Sequence, residues 1–219
     1  MRNIFGVLLI LNLSYGLIAQ VPQTSNLIGE YLFNGNIQDT SGNNYDGTIS
    51  GNPSYTLDRF SNANSSVNLD GSDDYIYFGK SMLSEWPDSD FDGKVEESFS
   101  ISIWAKASSL SSIEEAFFSF GAQTGLYTGV ISRLGPNISF NSSNWGCSYS
   151  SSNAYIDENW HHWVFVWDYD NYDRKIFKDG SLIYTCDTGH RRFNIKDSGL
   201  AIGKERLNDN PENKFTGDV

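Results

Sequence analysis

The densest chemistry in this chain is Asp88-Ser89-Asp90-Phe91-Asp92-Gly93. Carboxylates at the first, third and fifth positions can converge on one hard cation. A glycine at the sixth allows the sharp turn, and the seventh residue, Lys94, can add its backbone carbonyl. The spacing predicts a calcium loop with Asp88, Asp90, Asp92 and Lys94 as ligands. Its twelfth position is Phe99, where such loops place a bidentate Glu, so Glu96 or Glu97 has to substitute. A solvated acidic turn is the competing reading. His161-His162 is the other apparent metal pair, but neighbours on a strand face opposite ways. One is therefore expected in the core and one at the surface. Hydrolysis of a glycoside needs two carboxylates in one cleft. Glu96-Glu97 and Glu114-Glu115 are adjacent and would diverge on a strand, and Glu30 stands alone. The histidines are His161, His162 and His190, and no Gly-x-Ser-x-Gly elbow occurs. No catalytic residue is assigned, and the domain is expected not to be an enzyme.

The elements that must position these groups are β-strands. Trp160 to Asp168, Arg174 to Lys178 and Ser181 to Thr185 are short runs rich in β-branched and aromatic residues, bounded by turn formers. Asp179-Gly180 between the last two is a strong hairpin signal, because both central residues need φ > 0. This meander predicts three consecutive antiparallel strands. Leu27 to Phe33 alternates and reads as a first strand. Ser66 to Asp70 and Tyr75 to Phe78 read as a hairpin joined through Gly71 to Asp74. Phe99, Ile101, Ile103 and Ala105 share the core face of another strand. Ala116–Gly121, Leu126–Leu134, Asn137–Asn141 and Leu200–Gly203 are further strand candidates, and Ser111 to Glu115 is at most one helical turn. Short strands at this spacing predict an all-β, two-sheet antiparallel jelly-roll sandwich.

Met1 to Ala19 has a weakly basic start, an apolar stretch and a small residue at its end. It reads as a secretory signal cut after Ala19, with an N-terminal anchor as the alternative. Residues 20–26 form a short N-terminal segment and 27–219 the domain. No other long apolar run occurs, so no membrane span is expected in the mature chain, and the protein is expected outside the cell, at its surface or in the periplasm. The formal net charge is −12, which argues against nucleic acid as a partner, since phosphate binding needs Lys and Arg. The two cysteines, Cys147 and Cys186, are expected to form a disulfide in an oxidising compartment. The chain stops at Lys214-Phe215-Thr216-Gly217-Asp218-Val219, which reads as a strand just opening. A sandwich cut there is expected to lack its last strand.

Several motifs in fixed order resemble a known family. They are Leu32-Phe33, Asp39-Thr40-Ser41-Gly42-Asn43 with Asp46-Gly47-Thr48, Leu69-Asp70-Gly71 with Asp74-Tyr75-Ile76, Ser98 to Trp104, Trp160 to Val164, Lys178-Asp179-Gly180 and Leu200-Ala201-Ile202-Gly203. Over Leu27 to Val219 the chain resembles the LamG-like jelly-roll domains of the concanavalin A-like lectin/glucanase superfamily, relatives of laminin G and pentraxin domains. The resemblance implies a cation held by Asp39, by Asn44 or nearby carbonyls, and by a late acidic residue beyond Val219. Turn chemistry is the alternative at that loop. It also implies contact with an extracellular glycan or protein. Trp145, Tyr149 and Tyr155, in a Ser- and Asn-rich region, are the candidate sugar contacts, with Trp86 near the acidic loop. Trp104, Trp160, Trp163 and Trp167 are assigned to packing. Two functions follow: a non-catalytic, carbohydrate-binding and calcium-dependent recognition module, or an accessory N-terminal fragment of a larger secreted glycoside hydrolase or surface adhesion protein.

Overall fold

The computed structural model describes residues 26–79, 82, 97–107, 115–120, 130–134, 137–142, 148–150, 157–187, 199–204 and 214–219. Their elements are all strands: β1 (Thr48–Ser50), β2 (Ser54–Thr56), β3 (Ser66–Asp70), β4 (Tyr75–Tyr77), β5 (Phe99–Ala107), β6 (Glu115–Phe120), β7 (Val130–Leu134), β8 (Asn137–Ser142), β9 (Ser148–Ser150), β10 (His161–Asp168), β11 (Asp173–Lys178), β12 (Ser181–Asp187), β13 (Ala201–Ile202) and β14 (Thr216–Asp218). They build two antiparallel sheets of seven strands. The first runs β1-β4-β13-β6-β7-β8-β9 and the second β12-β11-β10-β5-β14-β3-β2. The all-β sandwich expected from the strand pattern is the fold observed. Among the described residues, no helix is long and apolar enough to cross a membrane.

Alternation on β10 sends Trp163, Phe165 and Trp167 into the core, all essentially inaccessible to water. From β11, Ile176 and Arg174 point the same way. The opposing sheet answers with Phe117, Phe118, Phe120 and Phe140. Phe165 sits among them, 4.9 Å from Phe118 and 5.6 Å from Phe140, both at steep ring angles. A register shift between Ala116 and Phe118 lets the consecutive Phe117 and Phe118 both reach Phe165. Arg174 is fully buried and donates from Nη1 to the Phe140 carbonyl at 3.2 Å, joining the two sheets through a polar contact. Desolvation pushes its guanidinium down to about 9.

The meander appears as expected. β10 pairs with β11 and β11 with β12, and the intervening Asp179 and Gly180 have φ of 49° and 78°. Two expectations are corrected. Leu27 to Phe33 is not a strand; it makes one isolated bridge, Tyr31 to Asp39, and Phe33 turns left-handed at φ 54°. The reason is local: the Glu30 N–H donates to the Asp39 carboxylate at 3.0 Å, so the backbone bonds to a side chain instead of a neighbouring strand. Nor do β3 and β4 form a hairpin. They belong to opposite sheets, and Gly71 to Asp74 carries the chain across the sandwich. Asp74 holds that crossing by accepting from the N–H groups of Asn52 at 2.7 Å and Asp70 at 3.2 Å.

β14 is tightly enclosed at its middle residue. It lies between β3 and β5, paired at Gly217↔Leu69 and Gly217↔Ala107. A Cβ on Gly217 would press on the Lys106 carbonyl oxygen and come within 2.9 Å of the Ala107 Cα. Both obstacles are backbone, so neither yields by rotating. Gly217→Ala is therefore expected to destabilise the domain by about 1–3 kcal/mol. Thermal melts followed by circular dichroism should show a fall of several degrees; an unchanged midpoint would mean that β14 does not seat as described.

Candidate functional site

The same alternation that fills the core decorates the outer face of the second sheet. On β5 it exposes Ser100, Ser102 and Trp104. On β10 it places His162, Val164 and Val166 beside them, with His162 opposite Trp104 and Val164 opposite Ser102. The His162 ring stacks on Trp104 with centroids 5.1 Å apart at 16°, and His162 Nε2 is 2.8 Å from Ser102 Oγ. Phe177, opposite both Val164 and Leu182, extends the strip with apolar surface.

A loop closes the other side. β2 and β3 are joined by residues 57–65, folded around Asp58. Its Oδ1 accepts from the Phe60 and Asn62 N–H groups, each at 2.8 Å, and its Oδ2 from Asn62 Nδ2 at 3.0 Å. The loop projects Arg59 over Trp104, with its Cζ 4.3 Å from the ring centroid, and Arg59 is also 4.3 Å from the Phe60 centroid. Phe60, Arg59, Trp104 and His162 thus form one contiguous stack of rings and a cation. Phe60 is 68% exposed and Trp104 36%. Beside the stack, Lys106 pairs with Asp218 at 2.7 Å, and Asp218 also accepts from Thr56 Oγ1 and Asn68 Nδ2.

At the start of β10, next to His162, His161 lies between two carboxylates, with Nδ1 2.6 Å from Asp179 Oδ2 and Nε2 2.8 Å from Asp157 Oδ1. Asp179 also exchanges backbone contacts with His162: its Oδ1 accepts the His162 N–H at 2.9 Å, and its N–H donates to the His162 carbonyl at 2.8 Å. Neither histidine is a core residue. The expectation of one buried and one surface histidine is corrected: both are half-buried, His161 held by acids and His162 by an indole. Burial lowers the His162 imidazole below its ordinary range; the Arg59 cation adds to that and Asp179 opposes it.

The carboxylates expected to bind metal divide into two groups. Asp39 is fully described, and its oxygens are engaged. Oδ1 accepts the Glu30 and Ser41 N–H groups at 3.0 and 2.8 Å; Oδ2 accepts Ser41 Oγ and the Tyr45 N–H at 2.8 and 3.0 Å. Burial raises its carboxyl, but those hydrogen bonds outweigh it and hold Asp39 below the usual range. Asn44 sits at φ 62° and its Nδ2 reaches toward the Gly42 carbonyl. As arranged, this loop is closed by turn chemistry, and its donor set does not fit a cation without breaking those bonds. Asp88, Asp90, Asp92 and Lys94 lie outside the described residues, as do Trp86, Trp145, Tyr155 and Cys147; Tyr149 lies on β9, opposite Ile138. No free cysteine occurs among the described residues. A cluster not anticipated, Asp70, Asp73 and Asp74, brings three carboxylates within 4.8 Å of one another. Asp70 and Asp74 are engaged by backbone N–H groups of their own loop and of Asn52, so the cluster reads as the closure of the β3–β4 crossing.

A family model described as the concanavalin A-like lectin/glucanases superfamily matches residues 70–219. The chain belongs to this superfamily. No curated protein sequence matches it. Among solved structures, it is similar to domain 4 of AbnA, a GH43 extracellular arabinanase from Geobacillus stearothermophilus determined in complex with arabinotriose. The identity is 19%, the TM-score 0.60, and 87% of each chain is covered. It is also similar to the binding domain of Paraclostridial Mosquitocidal Protein 1, at 16% identity and TM-score 0.58, over 83% of this chain and 44% of that one. The binding domain of botulinum neurotoxin DC, in complex with rat synaptotagmin II, matches at 15% identity and TM-score 0.55, over 88% and 46%. The chain thus spans less than half of each toxin domain. At these identities the likeness shows the fold alone.

The electrostatics predict two pH windows for stability. His162 has a lowered pKa in the folded state, so the unfolded chain takes up that proton first. Stability should fall as pH drops through the ordinary imidazole value of 6.5, and level off below the folded value. Asp39 and Asp179 have lowered folded pKa values, so their contribution is present above the ordinary 3.8 and lost as pH falls below it. Melting temperature measured from pH 8 to pH 3 should show both steps, and His162→Gln should flatten the upper one alone.

Proposed function

We propose that this domain is an exported recognition module that binds carbohydrate on the outer face of its second sheet. The observation that carries this reading is the exposed stack of Phe60, Arg59, Trp104 and His162, flanked by the hydroxyls of Ser100 and Ser102. Aromatic surface beside hydrogen-bonding groups suits the apolar face and the hydroxyl rim of a pyranose or furanose ring. The arabinotriose in the arabinanase domain supports a saccharide over other ligands. Trp145, Tyr149 and Tyr155 remain candidates for further contacts. Binding to a panel of plant, algal and bacterial polysaccharides tests the reading. Trp104→Ala is expected to weaken binding by about tenfold, in line with an aromatic contact of ~0.5–1.5 kcal/mol, without unfolding the domain. If no polysaccharide binds, the face is a site for a protein partner, as the synaptotagmin-bound neighbour illustrates.

Three supporting features belong to the same proposal. Export rests on Met1 to Ala19 as a cleaved signal. A Cys147–Cys186 bridge would suit the oxidising compartment, and intact mass before and after reduction with alkylation decides it; two free thiols would exclude the bridge. Calcium rests on the Asp88 to Lys94 loop, not on Asp39. Millimolar calcium is expected to raise the melting temperature by several degrees and Asp90→Ala to abolish the gain. A melt indifferent to calcium and to chelator would make that loop an ordinary acidic turn.

A further inference from the structure

The guanidinium of Arg59 is placed in an unusual way for a surface cation. Phe60 and Trp104 both lie against it, each ring centroid 4.3 Å from Cζ. The N–H donors of a guanidinium lie in its plane, so a guanidinium held by rings can still offer a planar fork to an acceptor. Among the described residues none of them meets an acceptor. The neighbouring carboxylates are committed elsewhere. Asp58 feels the Arg59 charge but spends its hydrogen bonds on its own loop, Asp218 pairs with Lys106, and Asp179 accepts from the His162 N–H and contacts His161. Among the described residues the side chain is therefore held by ring packing, exposed and without a hydrogen-bond acceptor, beside the most exposed ring of the face.

We infer that Arg59 is a specificity-determining residue that receives the carboxylate of an acidic sugar. This rests on the carbohydrate-binding reading above. A carboxylate meets a guanidinium edge-on, in the plane of the fork, and so does not compete with the rings packed against it. The sugar ring bearing that carboxylate then lies against Phe60, which is 68% exposed, while Ser102 and the edge of Trp104 face the adjoining ring. Charge sets a limit on the ligand. The chain carries a net −12, so a densely charged polyanion is repelled at long range. A single carboxylate on an otherwise neutral saccharide gains the local contact at little such cost, because screening acts over about 8–10 Å at physiological salt.

The test uses matched pairs: neutral oligosaccharides of arabinose, xylose or galactose carrying one uronic acid, and the same oligosaccharides after carboxyl reduction. Affinities are measured by calorimetry at 0.05 and 0.5 M salt. The acidic member of at least one pair should bind about tenfold tighter at low salt, with the difference shrinking at high salt. Arg59→Gln should abolish the preference, bringing the ratio of the two affinities to about one whatever it does to the reduced counterpart's own affinity. Arg59→Lys should recover only part of the preference, since an ammonium lacks the planar fork. Equal binding of both members by the unaltered protein overturns this inference and leaves the carbohydrate reading standing. Absence of binding by every acidic and neutral member overturns both. Preserved acid preference in Arg59→Gln assigns the selectivity to another cation and overturns the role of Arg59.

Discussion

Everything in this domain hangs on the packing of Phe165 against the opposite sheet. It lies near the middle of β10, and Phe117, Phe118 and Phe140 close around it from β6 and β8 at centroid distances of 4.9 to 6.2 Å. Removing such a side chain from water contributes about 1.5–3 kcal/mol, and the edge-to-face geometry adds to that. Its position fixes the parity of β10. With Phe165 inward, Trp163 and Trp167 must also be inward, and His162, Val164 and Val166 outward. β5 is paired residue by residue to β10, so Trp104 is carried outward by the same constraint. The candidate binding face is thus the reverse side of the core, specified by one set of hydrogen bonds.

Much of this was legible in the residues. The meander, its Asp179-Gly180 turn and the core face of β5 follow from period-two alternation and from a turn that needs positive φ. The same alternation placed Phe99, Ile101, Ile103 and Ala105 inward, which leaves Trp104 outward. Assigning Trp104 to packing because it is a strand tryptophan set residue type above position, and position decided. The bulge at Phe117 was not legible, because two consecutive apolar residues fit either face until the partner strand is known. Arg59 and Phe60 were invisible for a different reason. They sit in a short turn with no pattern, and only the pairing of β2 with β3 brings that turn across to β5.

Asp39 and Asp58 illustrate how an acidic loop can mislead. In sequence, an Asp among Ser, Gly and Asn is as consistent with an ion as with a turn. In the fold Asp39 accepts three backbone N–H groups, one of them from Glu30 outside its loop, and the Ser41 hydroxyl, while Asp58 accepts three N–H groups of its own loop. Composition cannot separate the two cases, since an N–H group and a cation seek the same lone pairs. What separates them is whether the backbone folds back far enough to fill both oxygens.

Asp179 has a mechanical meaning. It occupies the tip of the β11–β12 hairpin, yet three bonds tie it to the first residues of β10. A tension applied to the sheet through β10 would therefore not open the β10–β11 ladder from that end one bond at a time. The tip must let go together with the first rungs, so the load is shared in shear instead of being concentrated at a single rung. A recognition module that holds a ligand under flow or pull would benefit from a fastening placed there, at the junction of the strand that carries His162 and the hairpin that covers its flank.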